Sequence, residues 1–280
     1  MGTRILPASR YPVPRIPVFS GGASGELWCM EHDPAYGRLY YGPFAIADRE
    51  GTSGQQKLEA RGVPVHVVKK PKGMPIGEWG DRVAVEIETH MPAEYDMQDA
   101  LVLLTGSNKL FLGERVERTI GPRKINVHPA PLYILTNPAD GQTVDVYGRD
   151  PAEVRREYLG RGFTRRYVGW GAEIMPKILM ERHAGASAAH IATPEKDHGP
   201  CIAVRHKERE ARHVGHPEVF QAELKNEGDG PVIAAATHMI LQRLEIEGEA
   251  LVWRGQRLPY QGLELEDGWE QELGIEPMKE

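Results

Sequence analysis

Little in this chain of 280 residues points to covalent stapling or to a membrane. It has two cysteines, Cys29 and Cys201, which excludes a disulfide framework. One bridge is the most they could form, and a reduced, intracellular, non-secreted setting is expected. No apolar run approaches the roughly 18 residues of a membrane span. Prolines interrupt every apolar stretch near the N-terminus, so there is no signal pattern. Common catalytic signatures are missing as well. There is no G-x-S-x-G elbow, no G-x-x-x-x-G-K-[ST] phosphate loop and no G-x-G-x-x-G after an expected strand. Pro200-Cys201 lacks the second cysteine of a zinc deaminase.

What is present is a soluble globular composition, 40% hydrophobic and 26% charged, long enough for one large domain or two ordinary ones. The 31 glycines and 22 prolines imply many turns and few long helices. A net charge of -6 gives no general attraction to nucleic acid. The charge is unevenly spread. Residues 1–25 carry Arg4, Arg10 and Arg15 and no acid, while Glu264, Glu266, Asp267, Glu270, Glu272, Glu276 and Glu280 crowd the end against Lys279 alone. Such ends attract each other, within a chain or between copies.

Four segments follow: an extended basic arm (1–24), a β-rich domain (25–148), an α/β domain (149–263) and an acidic tail (264–280). The fold class is α+β, a β-rich first part with long loops followed by a smaller α/β unit. In the arm, Pro7, Pro12, Pro14 and Pro17 fix φ and remove donors, which argues against helix and central strand. Pro14-Arg15-Ile16-Pro17 also fits a PxxP ligand. Too apolar-poor for its own core, the arm needs another surface, so Arg4, Arg10, Tyr11, Arg15 and Ile16 are candidate interface residues.

Further along, Glu26–His32 and Arg38–Phe44 read as a hairpin, and Val63–Lys69 as a strand. Val83–His90 alternates, with Glu86, Glu88 and His90 on one face. That face could hold a divalent cation, though a wet sheet face is the simpler account. Residues 93–104 suggest a short helix. Lys124–Thr136 and Gln142–Tyr147 read as strands around the Asn137–Gly141 turn. Asp150-Pro151-Ala152-Glu153 is a helix start, with an acid N-cap, Pro at the first helical position and an acid two residues on. The arginines around that helix hint at a phosphate-contacting helix-turn-helix, but a solvated face or subunit contact fits them better. Pro176 opens another helix, Ala186–Ala192 fits helix or strand, and Pro231 opens the clearest helix, with Ile233, Ala236, Ile240 and Leu244 on one face. A hairpin follows over Glu249–Tyr260.

The stretch Asp197–Lys225 concentrates the candidate chemistry. In one account His198, Cys201, His213 and His216 hold zinc as two chelating pairs. In a second, Val219–Lys225 is a strand carrying Glu223 and Lys225, with Asp197 ahead of a strand at Cys201–His206. With a helix at 176–184 before it and a helix (231–245) and a strand (249–253) after it, that order resembles the core of the PD-(D/E)xK nuclease superfamily over residues 176–253. The resemblance implies Mg²⁺ on Asp197 and Glu223, transition-state stabilisation by Lys225, and Glu181 as the optional helix acid. In the third, a basic histidine-rich edge stays wet while Phe220, Ala222 and Leu224 pack inward.

The arm, the tail and the missing signatures favour a structural subunit of a large assembly, such as a capsid, neck or tail component of a virus or phage particle. Its partners would be other copies or neighbouring subunits, with nucleic acid optional, no membrane and no small-molecule substrate, and it would need no cofactor. The alternatives are a metal-dependent nuclease using Mg²⁺ and a zinc-stabilised interaction module.

Overall fold

A computed structural model of the chain describes residues 3–4, 12–95, 100–105, 113–169 and 171–275. The first half runs β1 (Thr3–Arg4), β2 (Val13–Phe19), α1 (Ser24–His32), β3 (Tyr40–Tyr41), β4 (Ala45–Ala47), α2 (Ser53–Glu59), β5 (Val65–Val67), α3 (Ile76–His90), β6 (Leu101–Thr105), α4 (Glu114–Thr119) and β7 (Lys124–His128). The second half runs β8 (Ile134–Thr136), β9 (Thr143–Asp145), α5 (Pro151–Glu157), β10 (Thr164–Arg165), α6 (Gly171–Glu181), β11 (Ala184–Ile191), β12 (Cys201–Glu208), α7 (Pro217–Leu224), α8 (Gly230–Leu241), β13 (Glu245–Glu247), β14 (Ala250–Trp253), β15 (Gln256–Arg257), β16 (Leu263–Glu264) and α9 (Trp269–Glu272). No helix among the described residues is long and apolar enough to cross a membrane.

A nine-stranded sheet in the order β16-β12-β11-β7-β6-β2-β4-β5, with β3 beside β2, organises the molecule. Strands β5, β4, β2, β6 and β7 are mutually parallel, and β11 reverses against β7 and β12. The mixture of helix and strand is as expected. The finer picture of a β-rich first part is corrected: this is an α/β fold with a mostly parallel sheet and helices on both faces. The almost wholly buried α8 packs on one face, over Leu103, Ile125, Val127 and Ile202. Helices α3 and α4 cover Ile16, Val18, Val102 and Leu104 on the other. Where α1 crosses α8, Gly230 lies so close to Trp28 that a Cβ there would sit 2.3 Å from the indole.

Several local expectations are overturned by packing. Residues 26–32 are helical, and Val83–His90 is the end of α3. There Trp79, Val83, Ala84 and Ile87 are buried at helical spacing while Val85 is exposed. Val83 and Ile87, four residues apart, satisfy both the period of 2 and that of 3.6, and only Val85 distinguishes them. Val219–Lys225 is likewise helical, with Phe220 and Leu224 one turn apart and buried. Of residues 93–104, the last four form part of β6, and residues 96–99 lie outside the described ones.

The arm is the largest correction. Val13–Phe19 is a central strand, buried at every position. Its prolines fall where they do least harm. Odd residues of β2 aim their backbone toward β3 and β4, as Val13 N–H does by donating to Leu39 O at 2.8 Å. Pro17 therefore faces β4, one residue before that pairing begins at Val18. Pro14 faces β6, one residue before that pairing begins at Arg15. Arg15 and Ile16 are fully buried rather than interfacial. Arg15 is ion-paired with Glu26 at 3.0 Å and lies over the Tyr40 ring. Arg4 belongs to β1, which pairs with β13 of the same chain. Arg10 and Tyr11 lie outside the described residues. The acidic end is also docked on its own chain: β16 pairs with β12, and Leu265, Trp269, Leu273 and Ile275 join the α8 core.

Candidate active site

Strand β7 has two buried faces of different chemistry. Ile125 and Val127 enter the α8 core, whereas Lys124, Asn126 and His128 point the other way. Lys124 is ion-paired with Glu117. Asn126 and His128 stand near the carboxyl end of a parallel strand, where open α/β sheets place their ligands. Antiparallel β11 sets His190 opposite Asn126.

The fourth member comes from the loop between β11 and β12. Asp197 has a φ of 56° and is buried, so the chain turns sharply to drive its carboxylate inward. Its Oδ1 accepts from Asn126 Nδ2 at 3.4 Å, and its Oδ2 accepts from Gly169 N–H at 3.2 Å. Oδ2 lies 3.7 Å from His128 Nδ1, and Oδ1 lies 3.8 Å from His190 Nε2. Buried Arg165 of β10 clamps this loop from below. It donates to the carbonyl of Asp197 and, at 3.0 Å, to that of Gly199. Gly199 is required: a Cβ there would fall 1.8 Å from Ile191 O.

The protonation pattern follows from the partners. His128 Nε2 faces Tyr167 O at 2.8 Å, so in the neutral ring Nε2 carries the hydrogen and Nδ1 the lone pair. His190 Nδ1 donates to Ile191 O at 2.9 Å, which leaves Nε2 to accept from Asn126 Nδ2 at 3.1 Å. Burial lowers the pKa of His128 despite the nearby Asp197 carboxylate. Burial likewise lowers His190, to about 4, again against Asp197. Both imidazoles are therefore neutral near pH 7. Two buried acceptors, Asn126 Oδ1 and His128 Nδ1, have no hydrogen-bond partner among the described residues. Unsatisfied buried acceptors beside a carboxylate call for a hydrogen-bond donor that the described residues do not supply.

Neither cysteine serves as a covalent nucleophile beside them. Cys29 and Cys201 are buried and free. Burial pushes both thiols up, Cys29 to about 12, which makes them inert at neutral pH.

The residues singled out from sequence are dispersed. His198 contacts Thr164 Oγ1 at 2.8 Å, and Cys201 contacts Arg165 at 3.6 Å. These two flank the start of β12, while His213 and His216 follow its far end. Eight strand residues span about 26 Å, so the four do not form one metal site. His213 Nδ1 accepts from Glu210 N–H at 2.9 Å, and His216 is exposed. In the nuclease set, Glu223 sits on helix α7 and is ion-paired with Lys207 and Arg212 at the far end of β12. Lys225 follows that helix, and Glu181 on α6 binds Arg166 at 2.6 Å. None of these three reaches Asp197, and without strand geometry at 219–225 the resemblance has no core to rest on. Sequence reasoning passed over Asn126 and His128. Their signal was polar alternation, Lys-Ile-Asn-Val-His, in a strand flanked by apolar segments.

No protein-family profile matches this sequence, and no curated protein is similar enough to be paired with it. Solved structures do match. The phosphoribosylglycinamide formyltransferase of Coxiella burnetii, solved in complex with CHES, superposes with a TM-score of 0.65 at 15% identity, over 91% of this chain and 100% of that one. The enzyme of the same name from Anaplasma phagocytophilum gives 0.63 at 15% identity, over 91% and 99%. Glycinamide ribonucleotide transformylase 1 of Symbiobacterium toebii gives 0.62 at 17%, over 85% and 92%. At such identities the likeness is one of fold, and the fold is that of formyltransferase enzymes. It overturns the reading as a virion or assembly subunit, the nuclease alternative and the expectation of no small-molecule substrate. Val13–Phe19, the part of the arm that motivated an assembly partner, is a strand of the central sheet.

Proposed function

We propose that this chain transfers a formyl group to an amine of a phosphorylated small molecule. The observation that carries the reading is the pair of orphaned buried acceptors, Asn126 Oδ1 and His128 Nδ1, beside the Asp197 carboxylate. An amine nitrogen with its hydrogens is the donor such a set recognises. The fold shared with enzymes named phosphoribosylglycinamide formyltransferase supports it.

The amine nitrogen attacks the formyl carbon, forming a C–N bond and placing negative charge on the formyl oxygen. The attacking nitrogen, now positive, passes a proton to His128 Nδ1. The Asp197 carboxylate stabilises the resulting imidazolium. Collapse of the intermediate breaks the bond to the donor's leaving group, which takes the proton from His128. Asn126 Nδ2, donating to both Asp197 and His190, holds the carboxylate in position.

A second feature suits the phosphate. Ser20-Gly21-Gly22-Ala23 joins the carboxyl end of β2 to the start of α1, whose N-cap Ala23 provides no side-chain cap. Uncapped amides at a helix N-terminus attract anions. Arg49 donates to Ser20 O at 2.7 Å and brings a cation to the same rim.

The test is to incubate the purified chain with phosphoribosylglycinamide and a panel of N-formyl donors, formylated tetrahydrofolate among them, and to detect the formylated amine by mass spectrometry. Transfer that is lost in His128→Ala supports the assignment. No transfer with any donor, or undiminished transfer in the variant, refutes it.

A further inference from the structure

Away from that site, at the β5 edge of the sheet, His66, Glu86 and His90 converge. We propose that they bind a divalent transition cation of the zinc class through two imidazoles and one carboxylate. The proposal stands on geometry that is independent of the reaction assigned above.

His66 is the middle residue of edge strand β5, in register with Ile46 of β4. Glu86 and His90 lie four residues apart on α3, one turn from each other on the same face. Glu86 Oε1 is 2.8 Å from His66 Nδ1 and 3.0 Å from His90 Nε2. One ligand atom from each of the three residues lies within 4.8 Å of the others. The two imidazole centroids are only 4.0 Å apart, and the edge of Phe44 backs both rings, at 5.0 and 5.9 Å.

The two elements are locked before any ion arrives. Trp79, fully buried at the start of α3, donates its Nε1–H to Val68 O just past β5, at 2.8 Å. Val83, Ala84 and Ile87 fix the rotation of the helix against the sheet. The ligands therefore sit on rigid secondary structure, which fixes their geometry more precisely than loops would. Among the described residues no Lys or Arg pairs with Glu86, so the carboxylate remains available to a cation. All three side chains are partly exposed, at 26%, 30% and 40%, which leaves an approach from solvent and room for a water as fourth ligand. Two histidines and a glutamate with an open fourth position form a donor set that suits zinc, and nitrogen-rich sites also favour copper and nickel.

The other acid–histidine cluster, Glu210, His213 and Glu223, does not share these properties. His213 Nδ1 already accepts a backbone hydrogen, and Lys207 and Arg212 occupy Glu223. The proposed site is four strand spacings from β7, roughly 19 Å, so its occupancy is separable from chemistry at His128.

The test is titration of the full-length protein with Co²⁺, followed through the visible band of tetrahedral cobalt, and then competition with Zn²⁺. One equivalent should bind saturably. His66→Ala and His90→Ala should each weaken binding by more than the roughly 10–100-fold that loss of an outer-shell partner costs. His213→Gln should bind like the parent. Zn²⁺ should raise the melting temperature of the parent but not that of His90→Ala. His90→Gln, a mild change at the end of α3, serves if an alanine variant fails to fold. The proposal is overturned if the folded parent shows no saturable binding, as for a cluster that only shares protons, or if the histidine variants bind undiminished.

Discussion

His128 Nδ1 and Asp197 Oδ2 stand 3.7 Å apart, both fully buried, without a hydrogen bond between them. The gap is wide for direct contact and suited to a proton arriving with a substrate. Asp197→Asn removes the negative charge that stabilises an imidazolium while nearly preserving shape. It should lower kcat by about 10²–10⁴-fold, the usual contribution of a positioned acid or base, with little change in melting temperature. Steady-state kinetics beside thermal unfolding checks this.

His190 makes stability depend on pH. Its folded pKa, about 4, lies below the ordinary histidine value of 6.5. Between those values the unfolded chain binds a proton that the folded chain does not. Acidification from about pH 6.5 to pH 4 should therefore destabilise the fold, by up to about 3 kcal/mol from this group. Urea unfolding at several pH values, with His190→Gln as comparison, should show a shallower acid limb in the variant.

Asp229 acts in the opposite direction. Burial raises its pKa to about 7, and Ser187 donates to it at 2.9 Å. Between the usual carboxyl value of about 3.8 and about 7, only the unfolded chain has lost the proton, so stability falls as pH rises through that window. Asp229→Asn keeps an acceptor for Ser187 and removes the buried charge. It should stabilise the protein at pH 8 by roughly 2 kcal/mol and flatten that fall, as chemical denaturation would reveal.

Ile16 distinguishes a central strand from an exposed arm. The side chain is fully buried between β4, β6 and α3. Ile16→Ala should cost about 2–5 kcal/mol in unfolding free energy. An interface role would instead alter oligomeric mass and leave monomer stability unchanged. Ultracentrifugation alongside urea denaturation separates the two.

Arg165 is expected to act through the loop it holds. Arg165→Met forfeits charged hydrogen bonds to two carbonyls. It should destabilise by about 2–3 kcal/mol and reduce kcat more than it raises KM, because Asp197 loses its fixed position. Arg165→Lys should recover part of both.

Local chemistry was legible where it decides the outcome locally. Asp150 caps α5 by accepting from Ala152 and Glu153, and the turn at Asn137–Gly141 joins β8 to β9. Elements whose identity depends on tertiary partners were not. Ser24–His32 has no marked apolar stripe, and its helix is selected by close contact with α8. The site was half visible. Asp197 stands out beside Gly199, but its companions lie 69 and 71 residues upstream on a strand. Nothing local says that both faces of that strand are covered.

The prolines of β2 have one more effect. Sliding this strand by a single residue would turn Pro17 toward β6, opposite a carbonyl that needs a donor, and would move Ile16 and Val18 to the wrong layer. Two rings that look hostile to sheet formation thus act as alignment keys, penalising misregistered assembly of the central strand during folding.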